Sequence, residues 1–361
     1  MFGITTQRTV SRRTALRSGG ASLAATFGAA ALGRRALAQE ATPAAGLIQD
    51  GLSQEIVESF SVLPGQKALR IWAPPDAGRP AWSAEHNPDD QLFIASAFKG
   101  FVLAECLRLE EESLDPRDSI PLGDQLATRL GQPLPLDETV FSLGSPVFDP
   151  PHLTGTVSLR TALEAMITHS DNTATDIVLR HVGPERVQAF IEGIGLQQSL
   201  IPTSTRQFFG FVGGLPDWEA TTWDQFQGEA PAGDQHPILN DTITMASTAN
   251  ELVSFYYRAL PGVFFHFAET LTEFRSILAM GDISVSVPLG VNGFGKGGSI
   301  DFGGSHVLTF AGGLYVANRW VYFALLTNWT DAEGGHSLDE RGPAIEGVRS
   351  IFTLLRDRLG A

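Results

Sequence analysis

The sequence has little cysteine, few basic residues relative to its acids, and no hydrophobic run long enough for a membrane span. Cys106 is the single cysteine, which excludes an intramolecular disulfide. Its apolar neighbours favour a small core residue over a reactive thiol. The chain has 25 Lys and Arg against 40 Asp and Glu, a formal charge of −15, and six of the basic residues precede residue 39. Such an acidic body repels nucleic acid and anionic lipids, so we expect no nucleic-acid partner.

Residues 1–38 carry the ordered parts of an export signal. The Arg12-Arg13 pair precedes an apolar run, rich in alanine and glycine, over residues 21–33. Ala36-Leu37-Ala38 then supplies the small residues that a signal peptidase requires. The run is too short for a transmembrane helix, so we expect no stable membrane span after the signal is removed. The pattern predicts export by the twin-arginine route to the periplasm or extracellular space, and a flexible mature N-terminus at residues 39–45.

The remaining segment, residues 46–361, changes its hydrophobic period along the chain. A weak helical pattern and a hairpin pattern over residues 68–85 come first. Helical patterns follow at Ser158–His169 (with Ser158 as cap), Thr173–His181, Pro184–Ile194, Thr244–Leu260 and Ala268–Met280. Residues 112–157 and 197–241 are predicted to be loop-rich, and a loop as long as the second is usually functional or inserted.

Strand patterns return near the end of the chain. They lie at Val307–Ala311 and Tyr322–Thr327, and the amphipathic pattern Ile345–Leu359 follows them. This order of elements predicts an α+β fold in which the late strands pair with the N-terminal hairpin.

Ser96 and Lys99 lie one helical turn apart within the apolar stretch 93–107. One interpretation is structural: Ser96 caps the helix and Lys99 extends along the surface to solvent. The other is chemical, a serine nucleophile with a lysine partner at the positive end of a helix. The pair alone leaves both open.

Two further short motifs follow in order. Ser170-Asp171-Asn172 lies at a break between helical patterns, and Lys296-Gly297-Gly298 enters the late strands. With Ser96-Ala97-Phe98-Lys99 they resemble the S-x-x-K, S-D-N and K-T-G motifs of class A β-lactamases and penicillin-binding proteins. The stretch Leu163–Ala174 is also similar to that family around its S-D-N element. The structural alternatives are that the second motif only caps a helix and that Lys296 is a solvated charge at a strand end.

The resemblance covers about residues 46–361 and implies a particular architecture. It implies a five-stranded antiparallel sheet flanked by helices, plus a helical lobe, with the active site in the cleft between them. We assign residues 46–90 and 285–361 to the sheet lobe and residues 91–284 to the helical lobe.

The same resemblance implies roles for the motif residues. Ser96 would be the nucleophile, Lys99 its base, and Ser170 the relay of the proton to the leaving nitrogen. Burial and the nearby charge of Lys296 would lower the pKa of Lys99. The substrate-binding residues would be Asn172, Lys296, Gly298 and Ser299. In this set Asn172 would bind a substrate amide carbonyl, Lys296 would attract a substrate carboxylate, and the backbone N–H groups of Ser96 and Ser299 would form an oxyanion hole.

The sequence departs from the family at positions that recognise the substrate and in the pattern that provides the deacylation base. Gly297 stands where the family carries Thr or Ser, and Ser305 and His306 stand where its β-lactamases carry an arginine. The E-x-x-L-N pattern that provides the deacylation base of class A β-lactamases is absent from the sequence. Glu219 is our first candidate for that base and His236 the second.

The motifs predict an exported serine hydrolase of the class A β-lactamase type, which acylates Ser96 and opens the amide of β-lactams. The alternatives are a D-Ala-D-Ala peptidase or esterase with the same chemistry, or a penicillin-binding or sensor domain without turnover. We expect a small-molecule substrate, a monomer and no cofactor. We also expect no metal, because the eight histidines show no ligand spacing.

Overall fold

The computed structural model describes residues 50–359, except 77, 221, 228–233 and 335–336. The predicted export signal (residues 1–38) and the segment 39–45 therefore lie outside the described residues.

A five-stranded antiparallel sheet forms the centre of the fold. The strands, numbered in chain order, are β1 (Gln66–Ala73), β2 (Trp82–His86), β3 (Leu92–Phe93), β4 (Pro133–Leu136), β5 (Gly155–Ser158), β6 (Ala246–Ser247), β7 (Asn292–Phe302), β8 (Ser305–Val316) and β9 (Arg319–Thr330). The central sheet has the order β2-β1-β9-β8-β7, so the late strands pair with the N-terminal hairpin through β1 and β9. β3 pairs with β6, and β4 with β5. The predicted α+β fold with a five-stranded antiparallel sheet is confirmed.

Helices cover both faces of this sheet. They are α1 (Gly51–Ser61), α2 (Lys99–Glu111), α3 (Leu122–Leu130), α4 (Leu159–Thr168), α5 (Asn172–Val182), α6 (Pro184–Gly193), α7 (Thr205–Val212), α8 (Trp223–Gln227), α9 (Ala249–Ala259), α10 (Ala268–Leu278), α11 (Asp331–Gly334) and α12 (Ser337–Leu359). Short 3-10 turns lie at Ala95–Phe98, Trp218–Ala220 and Asp282–Ser286. Among the described residues, no helix combines the length and the hydrophobicity needed to cross a bilayer.

The side chains of the sheet alternate between two cores. On β9, Phe323 and Leu325 pack into one core with α1 and α12, while Ala324 and Leu326 face the other core with the remaining helices. The second core is centred on α2, which is buried from Lys99 to Leu107 and packs against α4, α5, α6 and α10. A lysine at the start of such a helix therefore lies beneath the surface.

Local capping explains where the helices begin. Ser158 caps α4 as predicted, accepting a hydrogen bond from Thr161 N at 3.1 Å. The helix predicted at Thr244–Leu260 begins later, because Thr248 caps α9 and residues 246–247 instead pair with β3.

The segment 197–241 is less irregular than its composition indicates. Ser204 caps α7 by accepting from Gln207 N at 3.0 Å, and Phe208 of that helix is fully buried. Aromatic residues and Gly210 have modest or low helix propensity, so the pattern did not predict this helix. Segment 112–157 likewise contains α3, β4 and β5.

Candidate active site

Ser96 lies on the 3-10 turn that leads into α2, and its residue is partly exposed. No side-chain cap hydrogen bond is made at the start of this turn or of α2, so the interpretation of Ser96 as a helix cap is wrong. The preceding residue, Ala95, adopts a left-handed φ of 45°. That conformation costs a non-glycine residue about 1–3 kcal/mol, and such strain is concentrated at functional sites.

Lys99 is fully buried, so the interpretation that it extends to solvent is also wrong. Its Nζ donates hydrogen bonds to Ser170 O and Asn172 Oδ1, each at 2.7 Å, and lies 3.3 Å from Ser170 Oγ. The first two sequence motifs therefore meet at one amine.

The electrostatic environment of Lys99 favours its neutral form. Burial holds the pKa of Lys99 well below its usual value, and the positive charge of Lys296 lowers it further. Asp171, Asp282 and Asp176 act in the opposite direction but do not outweigh burial. The arrangement therefore favours the neutral amine, a potential base, one turn from Ser96.

The second motif holds the loop above Lys99. Asp171 caps α5 through Ala174 N at 2.7 Å, and its other oxygen accepts from Val147 N and Phe148 N at 2.9 Å. Asn172 Nδ2 donates to Leu143 O at 2.7 Å, which fixes the orientation of its amide. Ser170 has a left-handed φ of 57° and remains partly exposed. The motif does cap a helix, as the structural alternative required, but its two outer side chains also face Lys99.

A buried carboxylate that the sequence did not single out supports this loop from behind. Asp176 accepts hydrogen bonds from Thr205 N at 2.6 Å and Arg206 N at 3.0 Å, and Thr205 Oγ1 lies 2.8 Å from it. Burial raises the pKa of Asp176 to about 6 despite these donors. Thr205 Oγ1 also lies 3.3 Å from Asn172 O, so α7 is tied to the backbone of the second motif.

Lys296 in β7 is fully buried, so the interpretation of it as a solvated charge is wrong. Its Nζ donates to Asp282 Oδ2 and, at 2.7 Å, to the carbonyl of Gly297. Asp282 Oδ1 accepts from Gly297 N at 2.6 Å. The lysine of the third motif is therefore paired with Asp282, which the sequence did not predict. Glycine at position 297 was a visible departure from the Thr or Ser of the family.

Gly298 brings β7 against the turn that carries Ser96. A Cβ at position 298 would lie 2.3 Å from Ile94 O, 2.7 Å from Ser96 N and 2.9 Å from Ala97 N. Only a residue without a side chain permits this approach. Ser299 follows on the same strand and is exposed, and β7 is an edge strand paired in the sheet with β8 alone.

The two candidates for a deacylation base are both exposed. Glu219 is exposed on the turn Trp218–Ala220, and its backbone carbonyl accepts from Gln207 Nε2. His236 is exposed and stacks on Phe211, with 4.3 Å between ring centroids. Across residues 50–359 as far as they are described, neither side chain hydrogen-bonds Ser96, Lys99 or Ser170.

The imidazole of His306 hydrogen-bonds two carboxylates. It lies between Asp301 Oδ1 at 2.9 Å and Asp331 Oδ1 at 2.7 Å. Burial lowers the pKa of His306, but the two carboxylates outweigh burial and raise it above the usual value. His306 on β8 therefore links β7 to the first residue of α11.

Comparisons with known proteins show the family and the fold of the chain. The sequence model of the beta-lactamase enzyme family matches residues 74–256, just over half of the chain. The solved class A beta-lactamase from Bacteroides cellulosilyticus is 19% identical, with a TM-score of 0.60, and the match covers 86% of this chain and 97% of that one. The beta-lactamase from Chitinophaga pinensis is 16% identical, with a TM-score of 0.62 and coverage of 86% and 100%. The class A beta-lactamase from Mycobacterium abscessus is 15% identical, with a TM-score of 0.59 and the same coverage. At these identities the similarities show the fold, and no curated protein sequence matches the chain.

Proposed function

The chain belongs to the beta-lactamase enzyme family, and from this premise we propose that it is a serine hydrolase that forms an acyl-enzyme at Ser96 and opens the amide of β-lactams. The observation that carries the proposal is the buried Lys99, whose pKa is lowered one turn from an accessible serine. A buried amine of this kind is costly, and it is most readily understood as a base.

The acylation step that we propose uses these residues as follows. Neutral Lys99 takes the proton of Ser96 as Oγ attacks the substrate carbonyl and forms the C–O bond. Lys99 passes a proton to Ser170 Oγ, 3.3 Å away, and Ser170 gives its own proton to the leaving nitrogen as the C–N bond breaks. The backbone N–H groups of Ser96 and Ser299 bind the oxyanion, each contributing about 10²–10³ in rate.

Asn172 and Gly298 position the substrate in this scheme. One N–H of the Asn172 amide is donated to Leu143 O, which leaves the second for a carbonyl of the substrate side chain. Gly298 lets the edge strand approach Ser96 closely enough for a substrate to hydrogen-bond both the strand and the Ser96 turn. Burial lowers the pKa of Lys99, and the positive charge of Lys296 acts in the same direction.

A second candidate is a penicillin-binding or sensor domain whose acyl-enzyme persists. Release of the acyl group requires a base to activate water, and the carboxylates that act on Lys99 are all engaged. Asp171 and Asp176 accept three donors each, and Asp282 pairs with Lys296. The exposure of Glu219 and His236 favours slow release. A D-Ala-D-Ala peptidase or esterase would use the same acylation chemistry.

We propose export by the twin-arginine route and a monomeric mature protein on sequence grounds. Replacing Arg12 and Arg13 by lysine should retain the precursor in the cytoplasm, as fractionation would show. Light scattering on the protein from Gln39 onward would give the oligomeric state.

The mature protein should be incubated with a chromogenic cephalosporin while absorbance and intact mass are both recorded. Continuous turnover that Ser96→Ala abolishes supports a β-lactamase. A burst of one equivalent with a lasting adduct supports the second candidate. No adduct with any β-lactam or D-Ala-D-Ala ester would refute the assignment of Ser96.

A further inference from the structure

The cation of the third motif is already neutralised by the chain itself. Lys296 is fully buried, and its ammonium is bonded to Asp282 Oδ2 and to the Gly297 carbonyl. The second oxygen of Asp282 accepts from Gly297 N at 2.6 Å. Asp282 thus bridges a side-chain cation and a backbone donor, as a bound carboxylate ligand would, while its own side chain stays 37% exposed.

Glycines at two positions leave space for the Asp282 side chain beside β7. A Cβ at Gly297 would lie 3.0 Å from Asp282 Oδ1 and 3.2 Å from its Cγ, which is tighter than ordinary contact. A Cβ at Gly281 would lie 2.1 Å from Gly295 O, so the turn that carries Asp282 lies directly on β7. Gly281 and Gly297 therefore leave room for the ion pair.

This ion pair lies within reach of a small molecule held at Ser96. Lys296 and Gly298 share one face of β7 and are about 7 Å apart along the strand. Gly298 in turn lies against Ser96 N. A group of an acyl donor that reached towards Lys296 would find its ammonium already bonded to Asp282 and to the Gly297 carbonyl.

We propose that Asp282 occupies the anion position beside Lys296 and makes the site selective for acyl donors without a carboxylate near the scissile bond, such as neutral esters and amides. This inference rests on the acylation of Ser96 proposed above. A substrate carboxylate would have to displace Asp282 from two charge-assisted hydrogen bonds or lie beside it as a like charge. The formal charge of −15 disfavours anions further.

The test compares a chromogenic cephalosporin with its own methyl ester, which removes the carboxylate and changes little else. The second-order rate of Ser96 acylation is measured by acid quench and intact mass, and each rate is divided by the rate of ring opening in hydroxide. In the wild-type protein the corrected ratio should favour the ester by about tenfold or more. A ratio that favours the free acid would overturn the proposal without any variant.

Variants then assign the selectivity to Asp282. Asp282→Asn should move the ratio towards the free acid by about ten- to hundredfold. Gly297→Ala should move it the same way, because the added Cβ displaces the carboxylate. Asp90→Asn removes one exposed charge elsewhere and should leave the ratio unchanged. Thermal unfolding checks that each variant is folded.

The outcomes separate the two proposals. If neither compound acylates Ser96, the proposed function fails and this inference fails with it. If Ser96 is acylated but Asp282→Asn and Gly297→Ala leave the ratio at its wild-type value, only the role of Asp282 is refuted.

Discussion

Replacement of Lys99 by methionine separates the chemistry of this residue from its packing. Methionine nearly conserves the volume of the side chain, so the core around α2 should stay filled. The substitution removes the amine that faces Ser170 and Asn172. Because general-base catalysis contributes about 10²–10⁴ in rate, acylation of Ser96 by a β-lactam should fall by that factor.

The same substitution should change the pH dependence of stability. The folded pKa of Lys99 lies well below 10.5, so the unfolded chain binds more protons between those two values. The free energy of unfolding contributed by Lys99 therefore rises with pH across that window. The methionine variant leaves Ser170 O and Asn172 Oδ1 without a donor, which costs about 1–3 kcal/mol of stability for each acceptor. Methionine itself does not titrate. The stability deficit of Lys99→Met should shrink as pH falls below the usual lysine pKa.

Both effects can be measured on one preparation. Acylation is followed by quenched intact mass, and stability by urea unfolding at about pH 6 and about pH 9. Lys67→Met is the matched control, because Lys67 on β1 is part-buried and its amine donates to the backbone carbonyls of Leu63 and Gly65. Wild-type acylation in Lys99→Met, together with a deficit that is constant with pH, would refute the reasoning about Lys99.

Two further predictions concern residues that support the site. Gly298→Ala should reduce the rate of Ser96 acylation about 10²-fold, because a Cβ lying 2.3 Å from Ile94 O forces β7 away from Ser96. Gly347→Ala is the control and should leave the rate unchanged, because its Cβ meets nothing within 4 Å. Equal acylation rates in the two variants would contradict the close approach of β7 to Ser96. Asp176 has a folded pKa of about 6 against 3.8, so the folded state binds more protons in that window and its stability contribution falls by roughly 3 kcal/mol as pH rises through it. Asp176→Asn should therefore destabilise the protein more at about pH 4 than at about pH 7.5 in urea unfolding, and the opposite order would exclude a raised pKa.

The sequence predicted those parts of the site that are encoded by short motifs. Ser96 and Lys99 are one turn apart on any helix, and Asn172 follows a capping aspartate, so local rules were enough. The order of strand and helix patterns predicted the sheet, because the two hydrophobic periods differ clearly.

The contacts that the sequence did not predict depend on the approach of distant backbones. Asp282 meets Lys296 because Gly281 lies on Gly295, and no pattern in the sequence reports that approach. The role of Asp176 depends on Thr205 of α7, which donates a hydrogen bond to it. The aromatic residues of that segment did not indicate a helix. Gly297 was the one available signal of the Asp282 ion pair.

Peptide mapping after rapid quenching determines whether Ser96 becomes acylated. The mature protein is mixed with a β-lactam and quenched in acid at a series of times that begins at the dead time of a rapid mixer. It is then digested, and the peptides are mapped by mass. We expect an added mass equal to the intact β-lactam on the peptide that contains Ser96, and the loss of this added mass in Ser96→Ala. An unmodified Ser96 peptide at every time point, or an equal adduct in Ser96→Ala, would contradict it.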